Sequence, residues 1–99
     1  MFCVLLAMIR TIKHRGLKYL YERGDRSGVG ANMRDRVERI LFVLDQAEDI
    51  EDLDIPGYRL HPLTGDRKGI WSIRVTGNWR ITFAFADGDV LDVDLEDYH

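Results

Sequence analysis

The stretch Gly69 to Phe83, GIWSIRVTGNWRITF, limits the possible folds more than any other part of the chain. Ile70 to Val75 and Trp79 to Phe83 are dense in β-branched and aromatic residues, which suit a pleated, half-buried surface. Thr76-Gly77-Asn78 between them supplies a short turn with a glycine free to take positive φ. The pattern predicts a β-hairpin at the centre of a sheet. Along its second arm, alternation puts Trp79, Ile81 and Phe83 on one face and Arg80 and Thr82 on the other. One face is then core and the other presents a guanidinium, so Arg80 is the first candidate for function.

Upstream, Met8 to Lys13 alternates apolar and polar residues and predicts a short first strand, extended backwards by Val4 to Ala7. Met8-Ile9-Arg10 reads as a natural start, which makes residues 1–7 an N-terminal extension and residues 8–99 a single domain. Leu17, Leu20 and Tyr21 lie at helical spacing before Gly24, a helix stop. After a loop with Gly28 and Gly30, Asn32 is the expected N-cap of a longer helix. Its apolar positions Met33, Val37, Ile40, Leu41 and Leu44 step by three and four, flanked by Arg34, Arg36 and Arg39, and it should end near Ala47. Ile50, Leu53 and Ile55 in the acidic connection are expected to pack on the core.

Pro56-Gly57 marks a turn, and Tyr58 to His61 then reads as a strand with Tyr58 and Leu60 on one face and Arg59 and His61 on the other. Pro62 confines that strand to an edge. A second hairpin turn at Ala86 to Asp89 leads to a last strand, Val90 to Leu95. The predicted class is α+β: a short first strand and two helices packed on a mainly antiparallel sheet of three to five strands.

At 99 residues the chain has room for one core. A net charge of −3 by itself argues weakly against a nucleic-acid partner, yet the charges lie in blocks. Arg10 to Arg39 holds nine basic residues against four acidic ones, Asp45 to Asp66 is acidic, and Arg67 to Phe83 has four basic residues and no acid. Two basic segments brought together by folding would form a phosphate-facing surface; solvated helix exteriors give the same pattern in the first block. The lone Cys3 forms no intramolecular disulfide, and Phe2 to Met8 is too short to cross a bilayer, so the expected location is the cytoplasm, with no membrane partner.

His14, His61 and His99 are far apart and none has a second ligand at metal-site spacing, so neither a metal nor a cofactor is expected. His61 falls on the polar face of its strand, and Asp97-Tyr98-His99 follows a neighbouring strand, so both are expected beside Arg80. Such a set has the parts for cutting RNA: a base for a ribose 2′-hydroxyl, an acid for the leaving 5′-oxygen and a cation for the phosphorane. An exposed edge histidine, a solvated tail and an arginine paired with an aspartate are the plainer alternative.

Tyr58 to Gly69 (YRLHPLTGDRKG), Trp71-Ser72-Ile73, Asn78 to Phe83, the terminal Glu96-Asp97-Tyr98-His99 and Ile12 to Leu17 together resemble the HigB toxins of the RelE/ParE superfamily, from about Met8 to the last residue. The resemblance implies a RelE-like α+β toxin of a type II toxin-antitoxin system, an endoribonuclease that enters the ribosomal A site and cuts mRNA by metal-independent acid/base chemistry. Its implied partner is a helix-turn-helix antitoxin of the HigA type, in a toxin-antitoxin hetero-oligomer. Carried over by position, His61, Arg80, Asp97, Tyr98 and His99 are the catalytic candidates. Lys13, Arg15, Lys18, Arg59, Arg67, Lys68 and Arg74 are the candidate RNA or ribosome contacts. Thr64 stands where the family pattern has lysine, and cannot supply that charge. A non-catalytic binder on the same fold, gyrase-inhibitor-like or a degenerate toxin that only binds its antitoxin, is the alternative. A DNA-binding domain fits less well, because the arginines of the second helix suit phosphate rather than base edges.

Overall fold

In the structure, a computed structural model, residues 9–97 are described. Helix α1 spans Arg15–Arg23 and helix α2 spans Arg34–Gln46. In α1 the imidazole Nδ1 of His14 accepts the Leu17 N–H at 3.1 Å, which satisfies one of the donors a helix start leaves over. Gly24, at φ +71°, closes the other end by donating back to Leu20. Leu17 and Leu20 are buried and Tyr21 half-buried, as the spacing predicts.

Helix α2 buries Val37, Ile40, Leu41 and Leu44, but Asn32 does not cap it. The cap position is Met33, whose side chain goes into the core; its N–H donates to the Gly30 carbonyl at 2.9 Å, so a turn leads into the helix in place of a side-chain cap. After Ala47, a 3-10 turn over Ile50–Leu53 is held by the Asp52 carboxylate, which accepts from the Glu48 and Asp49 N–H groups. That turn drives Leu53 into the core, with Ile50 and Ile55 packed beside it.

Four strands, β1 (His61–Pro62), β2 (Ile70–Thr76), β3 (Trp79–Ala86) and β4 (Asp89–Asp97), form an antiparallel sheet in chain order. The β2–β3 connection is Gly77-Asn78 with Gly77 at φ +53°, a value that suits glycine at the tip of a hairpin. Ile73, Val75, Ile81, Phe83, Val90, Val93 and Leu95 from the sheet join the apolar stripes of both helices in one buried cluster. Trp71, Trp79 and Phe85 pack against that cluster while only partly buried. The α+β expectation is borne out.

Two local expectations change. Residues Ile9 to Lys13 form no full strand: they run parallel to β4 with two bridges, Ile9 to Val90 and Ile12 to Val93. A bulge explains this, since the β3–β4 register shifts between Thr82 and Ala84 and Asp92 takes φ +55°, interrupting the ladder the segment would follow. Any extension through Val4 to Ala7 lies outside the described residues, as do the structural consequences of residues 1–7. The Tyr58 to His61 strand shrinks to β1, because Arg59 at φ +51° leaves extended geometry. Tyr58 and Leu60 still turn inwards while Arg59 and His61 stay exposed, and Pro62 lies on the edge strand.

Candidate functional site

With the helices on one side of the sheet, its other side is left for chemistry. The register sets out two rows there: His61 beside Ser72 beside Thr82, and one step along, Arg74 beside Arg80 beside Glu96. Arg59, His61, Ser72, Arg74, Gly77, Asn78, Trp79 and Arg80 line a hollow of about 230 Å³. Among the described residues, three arginines and no carboxylate line it, so it favours an anion. Arg74 and Arg80 are direct cross-strand partners. Like charges so placed destabilise a sheet, a cost that an anion between them removes.

His61 is oriented. Its Nδ1 lies 2.9 Å from the Arg59 carbonyl, which can only accept, so Nδ1 carries the hydrogen and, in the neutral ring, Nε2 is left to take a proton. The left-handed turn at Arg59 brings that carbonyl to the ring. Sequence reasoning gave His61 its face but not this tautomer.

Arg36 of α2 braces the same region from behind. Its guanidinium donates to the Gly57 carbonyl at 2.7 Å and the Arg74 carbonyl at 3.1 Å, and stacks 5.1 Å from the centre of the Tyr58 ring. Arg34 likewise donates to the carbonyls of Arg26 and Val29. These two helix arginines hold backbone, which corrects their reading as phosphate-suited; a side chain that reaches over several turns of backbone leaves no sequence pattern.

The other candidates divide. Arg59 and Arg74 join His61 and Arg80 in the hollow. Asp97 pairs with Trp79 across β3 and β4, at the edge of the hollow and exposed. Tyr98 and His99 lie outside the described residues. Lys13 and Arg67 line a neighbouring depression with Thr82, Asp94 and Glu96. Lys18 lines a further one beside Tyr21 and Glu22, while Arg15 and Lys68 are exposed. Thr64 is exposed and lines none of these hollows.

Arg67 is already engaged. Its guanidinium makes a bidentate contact with Glu96 at 2.8 and 2.5 Å, and the Thr82 hydroxyl donates to the same carboxylate at 2.5 Å. Thr82, expected on an open face, is therefore buried. Arg67's hydrogen bonds foremost, with the Thr82 hydroxyl and the charges of Arg67 and Arg80, hold the Glu96 carboxyl down at about 2 against an ordinary 4.5, although burial opposes this. A carboxylate lowered on folding stabilises fully above its unfolded value, and that contribution is lost as pH falls from 4.5 towards 2. Arg67→Ala should cost about 1 kcal/mol at pH 7, a modest value because the arginine is half exposed. In urea melts the gap between wild type and variant should narrow between pH 4.5 and pH 2; a gap constant over that range would contradict the assignment.

Among the described residues, no group of three or more His, Cys, Asp or Glu side chains could hold a metal ion, and no helix is long and apolar enough to cross a membrane.

Fold and hollow together define a class: a small α+β protein whose antiparallel sheet presents clustered guanidiniums and an oriented histidine on the side away from its helices. Residues 10–99 match the family model for the RelE-like toxin HigB of type II toxin-antitoxin systems. The chain belongs to this HigB-like toxin family. It is 51% identical over 92 residues to Endoribonuclease HigB of Proteus vulgaris, covering 93% of this chain and all of the relative. It is 34% identical over 91 residues to Toxin HigB-1 of Vibrio cholerae serotype O1, covering 90% and 96% of the two chains.

Proposed function

We propose that this chain is the endoribonuclease toxin of a type II system, cutting mRNA in the ribosomal A site by acid/base chemistry that needs no metal. The observation that carries the reading is the hollow itself, with Arg74 and Arg80 opposed across two strands beside a histidine whose Nε2 is left basic. His61 takes the proton from a ribose 2′-hydroxyl. The freed 2′-oxygen attacks the adjacent phosphorus, Arg80 stabilises charge on the phosphorane, and the bond to the 5′-oxygen breaks. An acid from the terminus, His99 or Asp97, protonates that leaving oxygen, and Tyr98 positions or stacks on a base. The products are a 2′,3′-cyclic phosphate and a 5′-hydroxyl.

Arg59 and Arg74 are the nearest RNA contacts, while Lys13, Arg15, Lys18 and Lys68 extend the positive surface towards the ribosome. The ribosomal setting, the cytoplasmic location and a HigA-like helix-turn-helix antitoxin in a hetero-oligomer rest on the family resemblance. The relative named Endoribonuclease HigB, matched over its whole length, supports the nuclease reading over a non-catalytic binder.

Induction of the wild type and of a form lacking His99 in cells, with messenger 5′ ends mapped, tests the proposal. New cleavage sites should appear with the wild type and fall sharply with the truncated form. Equal growth arrest by both without new 5′ ends would overturn the nuclease reading.

A further inference from the structure

Ser72 sits in β2 between His61 and Thr82 in the register, on the same side as Arg74. It lines the cationic hollow, is only 1% exposed, and its hydroxyl has no hydrogen-bond partner. It is the one buried side-chain polar atom in this condition among the described residues. A buried hydroxyl without a partner destabilises a fold, and alanine would fill the same space without that cost.

The donor hydrogens on either side are committed. The Thr82 hydroxyl donates to Glu96, and His61 Nδ1 donates to the Arg59 carbonyl. Among the described residues, no protein group within reach pairs with the Ser72 hydroxyl, so a ligand that enters the hollow is the natural source of a partner. Among the described residues, three arginines and no carboxylate line the hollow and favour an anion, and an anion offers acceptors for a hydroxyl donor.

We propose that Ser72 is a substrate-binding residue: its hydroxyl donates to a non-bridging oxygen of the RNA phosphate seated between Arg74 and Arg80. This rests on the nuclease reading above and adds a contact to it. In the sheet, neighbouring strands lie roughly 4.8 Å apart and residues two apart on one strand roughly 6.6 Å, so Ser72, Arg74 and Arg80 surround a space of phosphate size. Ser72 fixes where the phosphate sits along the strand, and the arginines supply the charge.

The test is single-turnover cleavage of a defined mRNA on purified ribosomes, with toxin titrated to separate the half-saturating concentration from the maximal rate, alongside thermal melts. Hydrogen bonds to charged groups are strong enough that Ser72→Ala should raise the half-saturating concentration roughly tenfold. Its melting midpoint should stay level or rise, because an unsatisfied group is removed. Ser72→Thr, which keeps the hydroxyl on a residue suited to strands, should recover most of the affinity. Wild-type affinity in Ser72→Ala, or a lowered midpoint with no recovery in Ser72→Thr, would overturn the assignment. With Arg80→Ala run beside them, loss of cleavage in that variant and none in Ser72→Ala sinks only the Ser72 contact. A wild type that cuts no RNA sinks the nuclease reading and this contact with it.

Discussion

Arg80→Ala should cut RNA about 10²–10³-fold more slowly than the wild type under saturating toxin, the range found when one pre-set charge stabiliser is removed from an active site. The reason lies in how rigidly the side chain is carried. Arg80 is in the central strand β3, followed directly by Ile81 and Phe83 in the core, with Arg74 opposite it in β2 and Glu96 opposite it in β4. The two neighbours pull in opposite senses. Glu96 attracts the guanidinium, Arg74 repels it, and an entering phosphate answers both arginines at once. Alanine relieves the repulsion at Arg74 and forfeits the attraction to Glu96, so stability should change little and the loss should appear in the maximal rate. Arg80→Lys should recover only part of it, since an ammonium keeps the charge but not the planar fork that matches two phosphate oxygens. A folded Arg80→Ala protein cutting within a few-fold of the wild type would remove Arg80 from the mechanism.

Phe83→Ala should be the most damaging core substitution, with a loss of about 3–5 kcal/mol in urea denaturation. Phe83 is fully buried and heads the buried side chains by size. It also pairs with Trp71 of β2 in an inner strand of the sheet, and that pairing limits how far the backbone can move to close a cavity. Small domains are stable by only about 5–15 kcal/mol, so a loss of this size leaves a protein that is degraded or aggregates at growth temperature. A measured loss below about 1.5 kcal/mol, the scale of a volume-conserving core swap, would show that the site collapses without strain and that Phe83 is not the keystone of the sheet.

Arg36, Glu96 and Ser72 show where reading the sequence stopped. Arg36 looks like any helix-surface cation, and its role depends on Gly57 and Arg74 carbonyls that arrive from elsewhere in the chain. Glu96 is one acid in an acidic tail until Arg67, a candidate RNA contact, meets it across the sheet and the two form an ion pair. Ser72 carried a faint signal: a small polar residue among β-branched and aromatic ones, on the arginine side of its strand. Asn32 and the Tyr58 to His61 strand misled because local propensity was overruled, by a core position at Met33 and by a left-handed residue at Arg59.

The sequence by itself determined the α+β class, both helix faces, the two hairpins and the placing of Arg80 opposite the core. Those follow from periodicity and turn chemistry, which act over a few residues and are written locally. Only the tertiary structure decided which cations serve the hollow and which are spent on Glu96 or on backbone carbonyls, and that the hydrogen of His61 sits on Nδ1. It alone left Ser72 without a partner. Each of these depends on strand register and on contacts between residues distant in the chain, and a charged or hydroxyl side chain takes its role from the partner that folding delivers to it.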